Sequence, residues 1–432
     1  MVFQRKNSEV LNWDSMLGKS RTIARCVFAF YLIVLINGCI EPHDFTIPNG
    51  NNLVIDALLT DELKRHEVVL SRGYSFDLDS TIVETGANVK IMDDLLNEYS
   101  FTEVEGGRYV SDNEFEAKVG VGYTLQISTK DGSLYSSSSE KFDANSQIRN
   151  IKAERGINSF DKDGVKIFLE NNALSGNPQY FRYEYEETYK IIAPKYVNLD
   201  FKLENYDPCK SPDTYDFSIV ARDEQQKICY GFQTSSEIIQ VSTQNQNEST
   251  IENQLVRFIP ADDYILSHRY SILVKQYVQS EKAYSYYKSL DDFSSSESVF
   301  TDVQPGFLEG NVKSENNTEE KVLGLFEVAS VSSKRLFFSY TDFFPDEPLP
   351  DYPFKCSSLA RPPVSQPQVC NSSTFPHCRE RSLYILIDDG SVAYWSETEN
   401  QGCEAGPYIV VPRVCGDCTL LGSNEEPEFW IE

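Results

Sequence analysis

The sequence predicts a mainly β protein: tandem antiparallel β-sandwich domains with one helix and a disulfide-stapled C-terminal region. Three observations carry that expectation. Apolar and polar residues alternate at period two, as where Tyr123, Leu125 and Ile127 interleave with Thr124 and Gln126; such alternation buries one face of a sheet and solvates the other. Turn residues recur at short intervals: Gly106-Gly107, Gly120, Gly122 and Lys130-Asp131-Gly132. Six of the ten cysteines crowd between residues 356 and 418. A chain of 432 residues, 40% of them apolar, has material for roughly two to four domains.

Residues 1–38 read as an address. The apolar run 26–36 follows Lys19, Arg21 and Arg25, the charged and hydrophobic regions of a secretory signal, and falls short of the roughly 20 apolar residues a spanning helix needs. Met16 opens a more ordinary leader than Met1, so the true start is expected there. The run ends Ile36-Asn37-Gly38-Cys39, similar to a bacterial lipobox. Cleavage is expected between Gly38 and Cys39, with the Cys39 thiol diacylated by fatty acids such as palmitate. Residues 39–52 then form a lipidated tether to outer-membrane lipid, and two or three acyl chains suffice for stable attachment. Glu41 and Asp44 are similar to the acidic surface-export signals of some lipoproteins, which leaves the membrane face open.

The next span, 53–145, predicts an N-terminal sandwich of immunoglobulin-like size, with 136–139 as the start of a linker. A second β-rich domain is expected over 146–345, where Val165, Ile167 and Leu169, then Phe181, Tyr183 and Tyr185, alternate. Asp161-Lys162-Asp163-Gly164 reads as a turn, because the remaining ligands and closing Glu of a calcium loop are missing. The Gln- and Asn-rich stretch 240–253 reads as a long exposed loop. One helix is predicted near 280–292: Ser280 can cap it, and Ala283, Tyr284, Tyr287 and Leu290 make an apolar stripe to pack on the sheet. Further strands are expected at 322–328 and 335–340. Over 346–432 the chain is Pro- and Cys-rich; prolines withhold sheet donors, and 383–387 with Asp388-Asp389-Gly390 reads as a hairpin.

Setting aside Cys26 in the leader and Cys39, eight cysteines remain: Cys209, Cys229, Cys356, Cys370, Cys378, Cys403, Cys415 and Cys418. An even number in an exported chain reads as a disulfide framework. Cys209 and Cys229 stand apart and are expected to pair with each other. Cys415-Gly416-Asp417-Cys418 has redox spacing, but Pro412 before it and Gly422 and Pro427 after it leave no long helix to lower a thiol pKa. A zinc site would need two further ligands in register, so structural bridges are the reading, with no metal and no cofactor.

With 66 Asp and Glu against 39 Lys and Arg, the net charge is −27. Such a surface repels the phosphates of nucleic acid. Only His43, His66, His268 and His377 offer ordinary acid–base chemistry near neutrality. No nucleophile elbow, zinc-protease helix, phosphate loop or dinucleotide fingerprint occurs. The densest carboxylate run, 183–189, reads as a strand with Tyr183 and Tyr185 inward and Glu184 and Glu186 on a solvated face. Of three tryptophans, Trp395 and Trp430 outlast the leader, which disfavours a dedicated glycan platform.

After Cys39 come Leu53-Val54-Ile55-Asp56-Ala57, Gly86-Ala87-Asn88-Val89, Gly107-Arg108-Tyr109, the run 183–190, and 270–277 with Ala283-Tyr284. Gln304-Pro305-Gly306, Gly310-Asn311-Val312, Lys334-Arg335-Leu336-Phe337, Cys415-Gly416-Asp417-Cys418 and Pro427-Glu428-Phe429-Trp430 follow. In this order they resemble a Bacteroidota lipoprotein family catalogued as domain of unknown function 4249. The resemblance implies a cell-envelope lipoprotein encoded near a TonB-dependent outer-membrane transporter, with an N-terminal sandwich similar to transthyretin-like domains. It carries over no catalytic residue. The expected function is a non-enzymatic outer-membrane protein that holds a small ligand or docks to such a transporter. A structural or adhesive surface protein and a carboxylate- or metal-dependent envelope hydrolase are the alternatives.

Overall fold

Period-two alternation gives β1 (Leu53–Thr60) an inner row of Leu53, Ile55, Ala57 and Leu59, all buried, and an outer row of Val54, Asp56 and Leu58. A computed structural model of the chain describes residues 52–73, 82–172, 179–204, 216–244, 250–295, 308, 310–364, 383–399 and 406–432. Seven more strands complete the first half: β2 (Glu67–Arg72), β3 (Ile82–Val83), β4 (Asn88–Asp93), β5 (Glu98–Glu105), β6 (Arg108–Ser111), β7 (Tyr123–Ser128) and β8 (Leu134–Ser137). Then come β9 (Gln147–Ile157), β10 (Asp163–Asn172), β11 (Tyr180–Ile192), β12 (Leu199–Glu204), β13 (Asp216–Ala221) and β14 (Ile228–Thr234). β15 (Ile239–Ser242), β16 (Gln254–Pro260) and β17 (Arg269–Gln279) lead into helix α1 (Glu281–Ser295). β18 (Val312–Ser314), β19 (Leu323–Ser339), helix α2 (Leu383–Asp388), β20 (Val392–Glu397) and β21 (Tyr408–Pro412) follow. The molecule is mainly β, as expected.

One sheet of fourteen strands runs β14-β11-β17-β19-β1-β2-β6-β5-β4-β7-β8-β18, with β15 on β11 and β3 on β2. β19 joins its halves. Leu323 to Ala329 run parallel to β1, and Ser330 to Ser339 run antiparallel to β17. The expected strands 322–328 and 335–340 are therefore one element, with its own side chains in both cores. The first core gathers Leu53, Ile55, Tyr109, Leu125 and Phe326. The second lies between β11-β17 and the three-stranded sheet β16-β10-β9, and holds Ile167, Leu169, Phe181, Tyr183 and Ile272.

The far end of the sheet returns to β19. β18 pairs with β8, and the Asn311 amide brackets the Phe326 backbone, accepting from its N–H at 2.9 Å and donating to its carbonyl at 2.7 Å. A paired edge is closed to aggregation. The approach leaves no room for side chains: a Cβ on Gly324, whose φ is +94°, would meet the Ile55 carbonyl at 1.8 Å, and one on Gly310 the Gly324 carbonyl at 1.7 Å. The expected linker at 136–139 begins inside this closure, since Ser136 and Ser137 belong to β8.

Two further expectations are corrected. The stretch 240–253 is tied down where it is described: β15 pairs with β11, Thr243 is buried, and Ile251 is buried with its N–H held by Asn171. Residues 383–388 form helix α2, not a hairpin arm. A short apolar run carries no decisive period. Here Leu383 and Tyr384 go inward and Gly390, at φ +70°, ends the helix, as glycine does after a last turn.

Cys229 bonds Cys418, and Cys356 bonds Cys415. The expected Cys209–Cys229 pair is thus overturned: Cys229 sits on β14, where the C-terminal segment crosses to meet it. Cys209, Cys370, Cys378 and Cys403 lie outside the described residues. Beyond Cys418, Ser423 exchanges backbone bonds with Tyr230 on β14. The Trp430 ring stands 4.9 Å from that of Tyr230, Arg335 stacks on Phe429, and Lys190 pairs with Glu432 at 2.6 Å. The tail so covers the lower outer face of β14-β11-β17-β19, and α1 covers the upper part.

Candidate functional site

Between the roof of α1 and the outer row of β1 lies a pocket of about 760 Å³. Its floor is Val54, Asp56 and Leu58 of β1, Glu67 and Val69 of β2, Gly324 and Leu325 of β19, and Arg182 and Glu184 of β11. The 235–238 turn walls one side, Lys64 and Arg65 form a rim, and Tyr286, Tyr287 and Leu290 hang from α1. The helix stands where the sequence placed it. Ser280 Oγ accepts the Ala283 N–H at 3.2 Å, as an N-cap must, and Glu281 lies in the first turn, where a carboxylate suits the helix dipole. Its apolar stripe is divided: Ala283 is buried against the sheet, while Tyr287 and Leu290 face the pocket.

Arg182 is the centre of the floor. It is 6% exposed, and its guanidinium lies 4.5 Å from the ring centroids of both Tyr277 and Tyr287. One terminal nitrogen pairs with Glu184, the other with Glu327 at 3.1 Å. Glu327, itself buried, also accepts from Gln279 at 2.8 Å, and Gln279 accepts from Gln240. Tyr277 donates to Glu184 at 3.0 Å. Burial alone would disfavour the charge on Arg182, but Glu327, with Glu184, outweighs it and the pKa is raised. A buried cation needs such pairing. Asp56 stands apart from this network, without a hydrogen bond or ion pair among the described residues; desolvation in the concavity raises its carboxyl pKa, Arg182 pulls it back, and Glu184 and Glu67 push it up.

The expected solvated face of β11 is therefore half roofed: Glu184 opens on the pocket and Glu186 pairs with Lys275 at 2.5 Å. On the opposite face Glu187 is 1% exposed and holds Arg257 at 2.8 Å and the Tyr270 hydroxyl, a tie between the two sheets of the second core. His66 is buried, and its Nε2 lies 2.8 Å from the Phe115 carbonyl; burial lowers its pKa. His268 lines a smaller, more apolar hollow of about 300 Å³ with Tyr264 and Tyr352. Among the described residues no group of three His, Cys, Asp or Glu is arranged to hold a metal.

A family model described as a domain of unknown function (DUF4249) matches residues 40–335. The chain belongs to the DUF4249 family. No curated protein matches it. Every residue lining the DUF4249 pocket falls inside the matched span, whereas the second bridge, Cys356–Cys415, lies beyond it.

Of the residues singled out from sequence, Cys415 and Cys418 come together in one short segment yet bond elsewhere, to Cys356 and Cys229; neither forms a redox pair with the other. Gly38 and Cys39 lie outside the described residues, and among the described residues no helix is long and apolar enough to cross a membrane. Arg182, Asp56, Glu327 and Tyr277 carry the site in this DUF4249 chain and were not foreseen. Arg182 and Asp56 both stand at polar positions of alternating strands and read as ordinary solvent-facing residues, which Asp56 is and the buried Arg182 is not.

Proposed function

We propose that this chain is a non-enzymatic lipoprotein of the cell envelope. Cleaved before Cys39 and acylated on that thiol, it is tethered to the outer membrane, where it holds a small ligand and docks to a TonB-dependent transporter. The observation that carries the ligand-holding part is the pocket under α1. Its volume lies within the roughly 300–1,000 Å³ usual for small-molecule sites. Its floor is also fixed in advance: Arg182 is locked by two carboxylates and two tyrosine rings, and a preformed floor reduces the ordering cost of binding. The two bridges suit an oxidising compartment, in keeping with the leader at 26–36.

The test is an affinity pull-down of the full-length protein from detergent-solubilised outer membranes of its own cells. Co-purification of a TonB-dependent transporter is expected, and recovery of the protein alone counts against docking. A Cys39→Ala variant is expected to retain its leader or to leave the membrane fraction. An acyl-free, membrane-bound Cys39→Ala protein overturns the tether.

A further inference from the structure

The charges around the pocket do not balance, and the imbalance selects a ligand. Arg182, the buried cation of the floor, already answers Glu184 and Glu327 and is covered by Tyr277 and Tyr287 on its faces. It has no charge left for an incoming anion. On the rim Lys64 pairs with Glu62 at 2.5 Å, and Glu67 pairs with Arg108 at 2.7 Å. Two lining carboxylates, Asp56 and Glu237, have no ion-pair partner among the described residues, against one such lining cation, Arg65; all three are exposed. An exposed carboxylate on the floor of a concavity is solvated, but the low-dielectric walls focus its field and draw a cation in. The same lining supplies the rest of a cation site: the phenol of Tyr286, which feels the Asp56 charge, and the apolar surface of Val54, Val69, Leu325 and Leu290. Aromatic faces attract organic cations, and a net charge of −27 draws cations toward the molecule.

We propose that the pocket binds an organic cation with an apolar body, a primary amine or guanidinium on an aryl or alkyl frame, with the Asp56 carboxylate as its counter-charge. This assignment rests on the ligand-holding reading above and narrows it to a chemical class. Asp56 supplies the ion pair, Tyr286 a ring beside it, and the α1 and β-strand apolar residues the body of the site. The fixed Arg182 group disfavours carboxylates and phosphates, since any anion at the floor meets Glu184 and Glu327, whose two charges Arg182 only half offsets, and the unpaired Arg65 stands out on the rim.

The test is isothermal titration of the full-length protein at low salt with three matched probes: tyramine, its alcohol tyrosol, and 3-(4-hydroxyphenyl)propanoate. Tyramine is expected to bind at least tenfold more tightly than the other two. Asp56→Asn is expected to weaken tyramine at least tenfold and leave tyrosol unchanged, with an unaltered circular dichroism spectrum showing that the fold is intact. Glu237→Gln, on the exposed turn, gives a second variant that cannot fail through the core, and a smaller loss of tyramine affinity is expected. Equal or tighter binding of the alcohol or the propanoate overturns the cation assignment and leaves ligand holding in place. Tyramine affinity unmoved by Asp56→Asn overturns the role of Asp56. Silence with all three probes overturns the assignment, while the tether and docking are decided separately by the pull-down.

Discussion

Asp56 is exposed, yet its place in the concavity shifts its titration. Its carboxyl pKa is raised by desolvation against the partial relief of Arg182, with Glu184 on β11 and Glu67 on β2 adding to the rise; Tyr286 and Tyr287 of α1 complete the groups that feel its charge. A raised carboxyl means that the unfolded chain ionises first as pH increases. The folded state is therefore undisturbed below the ordinary aspartate value, about 3.9, and loses stability as pH rises through the native value. We predict that Asp56→Asn raises the melting temperature near neutral pH and that the gain disappears near pH 3. Melting curves at both values check it; an equal change at both would show that charge is not the cause. Arg182 behaves in the opposite sense. Its removal strands Glu327 in the interior, and breaking a buried pair costs about 3–5 kcal/mol. Arg182→Met is predicted to lose that much in urea denaturation, and adding Glu327→Leu to recover most of it. A loss below about 1 kcal/mol in the single variant would mean that the buried pair is already relaxed by water.

β19 is the element on which the site depends, because one strand contributes Leu325 to the pocket, Glu327 to its buried network, Phe326 to the first core and Phe338 to the second. The contact of its first residues with β1 is closer than a side chain allows. We predict that Gly324→Ala destabilises by more than about 1 kcal/mol, since alanine must adopt a positive φ and also displace the Ile55 carbonyl. Denaturant titration with an unchanged m-value checks it, and a neutral substitution would show that β1 and β19 slide apart freely. The same strand shows what the sequence could and could not say. Its two apolar ends were legible as strands, but 329–334, Ala-Ser-Val-Ser-Ser-Lys, is too polar to announce that it continues through a boundary between cores; Ser330 and Ser332 are buried by tertiary packing alone. α1 was legible in full, cap and stripe together, because both signals are local. Arg182 was not, because the helix that buries it comes about a hundred residues later, and in its own strand it alternates with Phe181 and Tyr183 as a surface residue does.

At the scale of the whole molecule, the two bridges fasten a tail that, among the described residues, adds no strand to the main sheet but covers its edge and outer face. Cys229–Cys418 spans a sequence separation of 189 and Cys356–Cys415 one of 59. In the loop-closure account a bridge limits the unfolded chain in proportion to the logarithm of its loop, so the longer one is worth about 5 kcal/mol and exceeds the shorter by about 1 kcal/mol. The longer bridge has a second effect in the folded state. It holds Ser423 against Tyr230 and brings Trp430 over Tyr230 and Phe337, so its loss uncovers the β14 edge, and an uncovered edge invites pairing between molecules. We predict that the Cys229→Ser/Cys418→Ser variant melts lower than the Cys356→Ser/Cys415→Ser variant. It is also predicted to be cut first by limited proteolysis within 421–432 and to form aggregates on heating that the other does not. Scanning calorimetry ranks the two midpoints, and protease mapping locates the first cut. The reverse ranking, with the tail still protected, would assign the hold on the tail to its aromatic and ionic contacts, Trp430 and the Lys190–Glu432 pair, rather than to the covalent link.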